Sequence, residues 1–337
     1  MHMADALLTP AVGLTMSAVS AGALGFSAYK LRRDQAIERK IPIMAVTGAF
    51  VFAAQMINFT IPGTGSSGHI GGGVLLAAML GGYPSLLAVA AVLIIQCLLF
   101  ADGGLLALGC NIFNLGVIPS LVVYPLLIKP ILGRSASARR ITLASVVGAV
   151  VALQLGAFSV VAQTSLSGVA QLPFGAFLLL MQPIHLAIGT VEGLVTAAVL
   201  GFIWRAQPEL LDAAGTGDSP GLLPGKRVLA AIAAAAILAG GLLSIFASQH
   251  PDGLEWAIER LTGHAELEPW DQLHEEAAAL QEKTALMPDY DYRSARDEPS
   301  RTGASMAGIT GGATVFLLAG GAGLVISKAR KRRGVNH

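Results

Sequence analysis

The sequence predicts an all-α integral membrane protein: a seven-span helical bundle with one short or re-entrant helix, plus two further spans joined by an external loop. Hydrophobic residues make up 54% of the 337 positions and charged residues only 13%, so the chain has more apolar surface than one water-soluble core can bury. The 40 glycines and the low aromatic content of 6% favour closely packed helices over a barrel with aromatic girdles.

Apolar stretches of about 17 to 25 residues mark helices that are long enough to cross a bilayer. Six of them lie at residues 9–29, 41–60, 141–163, 175–204, 228–247 and 305–327. Glycine-rich turns divide the remaining apolar stretch into a short helix at 70–82 and longer helices at 84–101 and 105–128. The sequence therefore predicts nine spans.

Lysines and arginines orient these spans, because short basic loops stay on the cytoplasmic side. The basic clusters lie at 30–40, 129–140, 205–227 and 328–333, whereas the turns at 61–69, 102–104 and 164–174 contain no lysine or arginine. All four clusters fall inside if Met1 lies outside, so we expect an outer N-terminus and a cytoplasmic C-terminus. The last cluster then anchors the orientation, and the net charge of +1 excludes a nucleic-acid partner.

A polar segment rich in glycine and proline divides the chain into two modules. Residues 1–205 form the seven-span domain, residues 206–227 a cytoplasmic linker, and residues 228–337 a second domain with two spans. The external loop of this second domain, 248–302, holds most of the carboxylates, and both a metal-gathering role and a solvated regulatory role are open for it. The remaining histidines, expected to be solvated, are His250, His264, His274 and His337.

Several enzyme classes lack their motifs in this chain. There is no nucleotide-binding loop, no zinc-protease HExxH and no carboxylate helix pair for a di-iron site, so any ATP hydrolysis falls to a partner. Cys97 and Cys110 lie in apolar stretches without CxxC spacing and fit a packing role. An intramembrane serine hydrolase using Ser66 or Ser67 with His69 is an alternative, but residues this close on one loop rarely meet as nucleophile and base.

The first residues, MHMADALLTP, offer an unusual chelate. They lack the basic region of a cleavable signal peptide, so we expect Met1 to keep a free α-amine. That amine, the backbone amide nitrogen of His2 and its imidazole Nδ1 can close fused rings around a metal once the amide proton is lost. A fourth nitrogen would complete the square plane that nitrogen-ligated Ni(II) and Cu(II) favour.

His69 is the candidate fourth donor. It lies in a glycine-dense segment, IPGTGSSGHIGGG, which we expect to fold inward, because irregular backbone at membrane depth must be buried or line a cavity. Ser66 and Ser67 could hold the imidazole or the coordinating amide, as outer hydrogen-bond partners do in metal sites. A hydrogen-bonded structural role for His2 and His69, without metal, remains open from the residue types alone.

Two polar pairs inside predicted spans complete the set of candidates. His185 and Glu192 are seven positions apart and share one helix face, so they form either a packing pair or part of an ion path. Asn111 and Asn114 are one turn apart and face the same way, which fits hydrogen bonding between helices or a place beside the site.

Four segments, in order, resemble the NikM/CbiM family, the substrate-capture components of energy-coupling-factor importers for nickel and cobalt. They are MHMADALLTPAVG, GTGSSGHIGGGVLLAAMLGGYPSLL, QCLLFADGGLLALGCNIFNLGVIP and PIHLAIGTVEGLVTA. Downstream, HPDGLEWAIERLTG resembles the PDGLE segment of the NikN-type accessory component. The resemblance covers nearly the whole chain.

The resemblance implies a four-nitrogen metal site formed by the amine of Met1, the amide and imidazole of His2, and His69. It also implies a separate energy-coupling transmembrane subunit and two ATPase subunits as partners, in the plasma membrane of a prokaryote. The metal is then the transported substrate and no catalytic cofactor is expected. Asp5 keeps its place in the family motif, although the residues around it depart from the commoner MHIPDG-like start.

Nickel is the favoured substrate, and cobalt for cobalamin synthesis is the alternative. A deprotonated amide in a plane of nitrogens suits low-spin Ni(II), and the Irving–Williams order places nickel above cobalt. The fused accessory module also resembles the nickel branch of the family.

Overall fold

The computed structural model describes residues 1–133, 135–168, 172–211, 225–293 and 300–334. In chain order its helices are α1 Pro10–Leu31, α2 Ile37–Gln55, α3 Gly73–Leu80, α4 Gly82–Phe100, α5 Leu108–Leu132, α6 Ala138–Ser167, α7 Phe174–Ala206, α8 Lys226–Gly241, α9 Gly253–Thr262, α10 Gln272–Thr284 and α11 Arg301–Gly334. Short 3₁₀ turns occur at Asp5–Leu7, Leu243–Phe246 and Pro288–Tyr290. One antiparallel hairpin joins β1 Phe59–Ile61 to β2 Ser66–Gly68.

The prediction of an all-α integral membrane protein is confirmed. Among the described residues, seven helices are long and apolar enough to cross a membrane: α1, α4, α5, α6, α7, α8 with its following turn, and α11. A helix occupies each of the nine predicted positions, but α2 and α3 are not among those seven. Helix α2 begins with the charged Glu38, Arg39 and Lys40, and α3 has only 8 residues.

The second helix ends earlier than predicted. The sequence pattern placed it at 41–60, whereas α2 ends at Gln55 and Phe59 already pairs with Gly68 in the hairpin. Apolar residues continue beyond the helix into strand β1, so hydrophobicity alone could not locate the end of the helix. Behind the hairpin, the irregular residues 70–72 and helix α3 are largely buried, as the inward-folding prediction requires.

Glycines bring the helices into close contact, as the composition predicts. A Cβ at Gly193 of α7 would lie 2.5 Å from the Val146 Cα of α6. Helices α8 and α11 cross in the same way, since a Cβ at Gly308 would lie 2.4 Å from the Gly240 carbonyl oxygen. Helix α11 also packs on α2, where Gly311 faces the ring of Phe52. The helices of the second module therefore pack directly against the bundle.

The described part of the polar segment, residues 248–293 and 300–302, is folded over one end of the bundle, the end where Met1 lies. Helix α10 in this segment carries His274, which was expected to be solvated but is buried and contacts the Leu8 carbonyl oxygen at 2.9 Å. His250 and His264 are exposed as expected.

The module boundaries remain predictions, because most of the linker, residues 212–224, lies outside the described residues, as do Arg134 and His337.

Candidate metal centre

The start of the chain is tucked into the bundle. Met1 is 6% exposed and Met3 is fully buried. The backbone of Met3 is held at both ends: its N–H donates to Asn111 Oδ1 at 2.8 Å, and its carbonyl accepts from Asn111 Nδ2 at 3.2 Å and from the Gly104 N–H at 2.9 Å. Chain termini are usually mobile unless they are tied down in this way, so Asn111 fixes the position of the first residues.

Asn114 supports the same segment from the next turn of α5. Its amide lies 3.6 Å from the Met3 sulfur and exchanges two hydrogen bonds with Gln163 of α6, at 3.0 and 3.1 Å. The two asparagines therefore face the same way, and Asn114 bridges two helices, as the spacing predicts.

Asp5 anchors the 3₁₀ turn that follows. Its Oδ1 accepts the Ala107 N–H at 2.9 Å, and a Cβ at Gly104 would lie only 1.8 Å from that oxygen. Burial raises the pKa of Asp5, and the backbone donor of Ala107 acts in the opposite direction. Asp5 therefore ties the N-terminal segment to the turn between α4 and α5.

The imidazoles of His2 and His69 lie face to face. Their ring centroids are 5.3 Å apart and the ring planes differ by 15°. The His69 Nδ1 lies 3.1 Å from the Ile70 carbonyl oxygen. Burial, and then the nearby terminal ammonium, lowers the pKa of His69 to about 4, so its imidazole is neutral and free to coordinate at physiological pH.

Asp102 holds the ring of His2. The His2 Nδ1 lies 3.0 Å from Asp102 Oδ1, while its buried Nε2 has no hydrogen-bond partner. Asp102 also accepts the Tyr290 hydroxyl. Burial opposes ionisation, but His2, the Tyr290 hydroxyl and His69 together outweigh it and lower the pKa of Asp102 to about 2. Chelation through Nδ1 therefore requires His2 to exchange this carboxylate for the metal.

The terminal amine of Met1 forms an ion pair with Asp252, which lies in the second module. The other Asp252 oxygen caps α9 by accepting the N–H groups of Leu254 and Glu255 at 2.8 and 2.9 Å. Burial opposes ionisation of Asp252, and the ammonium lowers its pKa despite this. Sequence reasoning missed Asp252. The spacing of Asp252 and Glu255 is a capping-box signal that marks a helix start, but nothing in it indicates proximity to Met1.

Glu192 orients the loop that carries His69. Its two carboxylate oxygens accept the N–H groups of Gly71 and Gly72 at 2.7 and 3.0 Å. Gly72 has φ +74°, and a Cβ there would lie 2.3 Å from a Val51 methyl group, so the turn requires glycine. Glu192 thus contacts the His69 loop rather than His185.

His185 and Glu192 therefore do not form a packing pair, which was one of the two alternatives that their spacing left open. The His185 Nδ1 lies 2.8 Å from the Met181 carbonyl oxygen, and its buried Nε2 has no hydrogen-bond partner. His185 and Glu192 lie on one face of α7 but two turns apart, and each forms hydrogen bonds with nearby backbone groups instead. His185 instead lines a small cavity of about 10 Å³ together with Met1, His69 and Asp252.

The hydroxyls of Ser66 and Ser67 do not hold the imidazole of His69, contrary to expectation. The Ser67 hydroxyl donates to the His250 carbonyl at 2.7 Å, and the Ser66 hydroxyl donates to the Ser67 carbonyl at 3.1 Å. The two serines therefore join the hairpin to the second module. Neither hydroxyl bonds to the His69 imidazole, so these two serines do not form the serine–histidine pair of the hydrolase alternative.

A larger cavity of about 740 Å³ gives access to the two imidazoles, and it is lined by His2, His69, Asp102, Asp252 and Glu255 among others. Within the described residues, no three His, Cys, Asp or Glu side chains form a metal cluster. A metal centre at this place therefore depends on main-chain nitrogens together with the two histidines. Such donors suit Ni(II) or Cu(II) better than Mg(II) or Ca(II).

Comparisons with known families match both modules. The profile of the CbiM family, the cobalt uptake substrate-specific transmembrane region, matches residues 2–210. The profile of the PDGLE domain matches residues 226–328. The two matches lie on either side of the gap between α7 and α8.

Two relatives and one solved structure align with 61–69% of this chain. A protein of Archaeoglobus fulgidus that carries the name NikMN is 35% identical over 241 residues, which are 69% of this chain and 73% of that protein. The fused nickel transport protein NikMN of Rhodobacter capsulatus is 31% identical over 63% of this chain and 64% of its own length. The crystal structure of a truncated transition metal transporter aligns with a TM-score of 0.52 and 28% identity, covering 61% of this chain and 99% of that one.

Proposed function

This chain belongs to the CbiM family of cobalt uptake substrate-specific transmembrane regions, and we propose that it captures Ni(II) outside the cell for an ATP-driven energy-coupling-factor importer. It is a nickel or cobalt transport component of a membrane and not an enzyme. The metal is its substrate. Hydrolysis of ATP takes place on two partner ATPase subunits, and a further transmembrane subunit couples them to this chain.

One observation carries the proposal: the first residues are buried beside His69. The Met1 amine, the amide nitrogen and Nδ1 of His2, and the imidazole of His69 supply four nitrogens. Met1 and His69 line one small cavity, and the rings of His2 and His69 are stacked. Four nitrogen donors around one ion form the square plane that Ni(II) favours.

Nickel is preferred to cobalt on chemical grounds. Loss of the amide proton produces a strong donor, and nickel exceeds cobalt in affinity for a given nitrogen site. The relative in Rhodobacter capsulatus is named as a nickel transport protein and has the same fused organisation. Cobalt remains the second candidate, because the family description names cobalt uptake.

Capture requires three changes at the site. The terminal ammonium and the His2 amide each lose a proton, and the His2 Nδ1 leaves Asp102. His69 needs no proton loss, because burial lowers its pKa to about 4. Metal binding therefore releases protons, and the affinity falls as the pH falls.

The proposal is tested by extending the chain by one residue before Met1. The added peptide bond removes the amine and displaces the chelate. We expect calorimetry with NiCl₂ to show tight binding by the protein that starts at Met1, verified by intact mass, and loss of binding after extension or in His69→Ala.

His264→Ala is the matched control, because this histidine lies in the same polar segment and is exposed. It is expected to bind as the parent does. Unchanged Ni(II) binding by the extended protein would overturn the proposal. Competition between Ni(II) and Co(II) in the same titration decides which metal is the substrate, since tighter Co(II) binding would favour the second candidate.

A further inference from the structure

We propose that Asp252 of the second module is a positioning residue of the capture site, which holds the Met1 amine in place to receive the metal. The inference rests on the proposed function, since it assigns a task to a residue beside the same chelate. It makes residues 250–255, here called the PDGLE segment, part of the site.

The carboxylate of Asp252 is held in place by hydrogen bonds that do not involve the Met1 amine. One oxygen accepts the N–H groups of Leu254 and Glu255 at 2.8 and 2.9 Å, and the Asp252 N–H donates to the Glu255 carboxylate at 2.9 Å. This reciprocal capping box leaves the second oxygen for the Met1 amine. The side chain therefore keeps one orientation whether or not a metal is present.

The backbone just before Asp252 is also anchored to the loop of His69. The Ser67 N–H donates to the Pro251 carbonyl at 2.8 Å, and the Ser67 hydroxyl donates to the His250 carbonyl at 2.7 Å. One residue further on, a Cβ at Gly253 would lie 3.2 Å from the ring of His185. The PDGLE segment is thus fixed to the bundle within a few residues of a predicted ligand.

Positioning of this kind strengthens metal binding in two ways. An unrestrained chain start loses conformational freedom when a metal orders it, and a start that is already held avoids most of this loss. The carboxylate also places a negative charge beside the incoming divalent ion. Removing such outer partners lowers metal affinity by about 10- to 100-fold in other sites.

Asp252→Asn is the main test variant, because asparagine caps a helix as well as aspartate does. Helix α9 therefore stays formed, while the oxygen that faces the amine is replaced by an amide group without charge. Asp252→Ser is the second variant: it also keeps the cap and lacks the second oxygen altogether. The matched control is Glu268→Gln, which removes one exposed carboxylate from the wall of the same large cavity.

The experiment titrates the full chain starting at Met1 with NiCl₂ alone. We expect a 10- to 100-fold rise in Kd for Asp252→Asn and Asp252→Ser, a rise of less than about threefold for Glu268→Gln, and partial recovery in Asp252→Glu. The ligand-field absorption of the bound Ni(II) should stay unchanged in all four variants, because the nitrogen ligands are the same.

A second measurement needs no metal. Acylation of the Met1 amine by a water-soluble active ester, followed by mass spectrometry, should be at least several-fold faster in Asp252→Asn than in the parent or in Glu268→Gln. Equal Kd values for the parent and both Asp252 cap-preserving variants would overturn the inference and leave metal capture intact. Absence of Ni(II) binding by the parent would instead overturn the proposed function, and the inference with it.

Discussion

At the scale of single residues, packing and hydrogen bonding do not explain why a histidine occupies position 185. A buried nitrogen without a partner costs about 1–3 kcal/mol, and the His185 Nε2 is such an atom. The ring lies beside the cavity shared by Met1 and His69. His185 lowers stability and lies next to the proposed site, and a residue of this kind is often kept for function. We therefore expect it to act in the inward movement of the metal.

Replacing His185 separates stability from transport. We expect His185→Leu to melt at the same temperature or higher, with a gain of up to about 1–3 kcal/mol from removing the unpaired nitrogen. Uptake of Ni(II) into vesicles should fall, with equilibrium binding affinity little changed. Thr190→Ala, at an exposed position of the same helix, serves as the control. Normal uptake by His185→Leu would assign this histidine to packing.

The residues that we propose as ligands could be identified from the sequence, whereas the residues that support them could not. Met1, His2 and His69 could be singled out because their residue types and the free chain start have a chemical meaning on their own. Asp252 lies 251 positions from Met1 along the chain, and its contact exists only because the second module folds over the bundle. Hydrogen-bond partners depend on tertiary structure, which also explains why His185 and Glu192 do not pair.

At the scale of elements, the loop behind β2 depends on Glu192 of α7. Both oxygens of this carboxylate accept backbone N–H groups, of Gly71 and Gly72. Glu192→Ala leaves two buried donors unpaired, so we expect a loss of about 2–6 kcal/mol in stability at about 1–3 kcal/mol each.

The loss should appear in a thermal melt and as weaker Ni(II) binding, because His69 moves with the loop. Glu192→Gln, which keeps one acceptor oxygen, should lie between the parent and Glu192→Ala. A melting temperature of Glu192→Ala equal to that of the parent would contradict the assignment of Glu192 as the support of this loop.

Helix α10 is docked on the N-terminal segment through the buried His274. The His274 Nδ1 lies 2.5 Å from Asp271 Oδ1 and its Nε2 lies 2.9 Å from the Leu8 carbonyl oxygen. Both partners are acceptors, so both bonds form only when both ring nitrogens carry a proton. Burial opposes the charge, but the bonds to Asp271 and Leu8 raise the pKa of His274 above its ordinary 6.5.

The docking of α10 should therefore weaken with rising pH. A raised pKa means that the stabilisation is complete below pH 6.5 and is lost as the pH passes the folded value. Hydrogen exchange of residues 272–284, corrected for intrinsic rates, should be about two- to tenfold faster at pH 8.5 than at pH 6, as expected for losing about 1 kcal/mol. His274→Gln should remove this pH dependence and His264→Gln should not; an unchanged dependence in His274→Gln would refute the mechanism.

Element boundaries show where sequence patterns stop being informative. Hydrophobic stretches located nine of the described helices, and bilayer thickness accounts for the length of the seven that can cross a membrane. The hydrophobic pattern failed at residues 56–60, where the chain has left the helix and Phe59 begins strand β1. Helices α9 and α10 were not expected within the polar segment, because they are short and amphipathic and bury their apolar sides only against the bundle and the N-terminal segment.

At the scale of the whole molecule, the charge distribution predicts that the polar segment and the C-terminus lie on opposite sides of the membrane. His264 and Arg332 are both exposed, and the native Cys97 and Cys110 are buried. A membrane-impermeant maleimide should label His264→Cys in intact cells. It should label Arg332→Cys only after the membrane is permeabilised. The reverse pattern would invert the topology and place the capture site inside.

The central claim is that nitrogen atoms alone hold the metal, and X-ray absorption at the nickel edge tests it most directly. The full chain starting at Met1 would be loaded with one equivalent of Ni(II). We predict four nitrogen neighbours in a planar arrangement, including scattering from two imidazole rings. A spectrum that requires a methionine sulfur or the carboxylate oxygens of Asp102 or Asp252 in the coordination sphere would contradict the account.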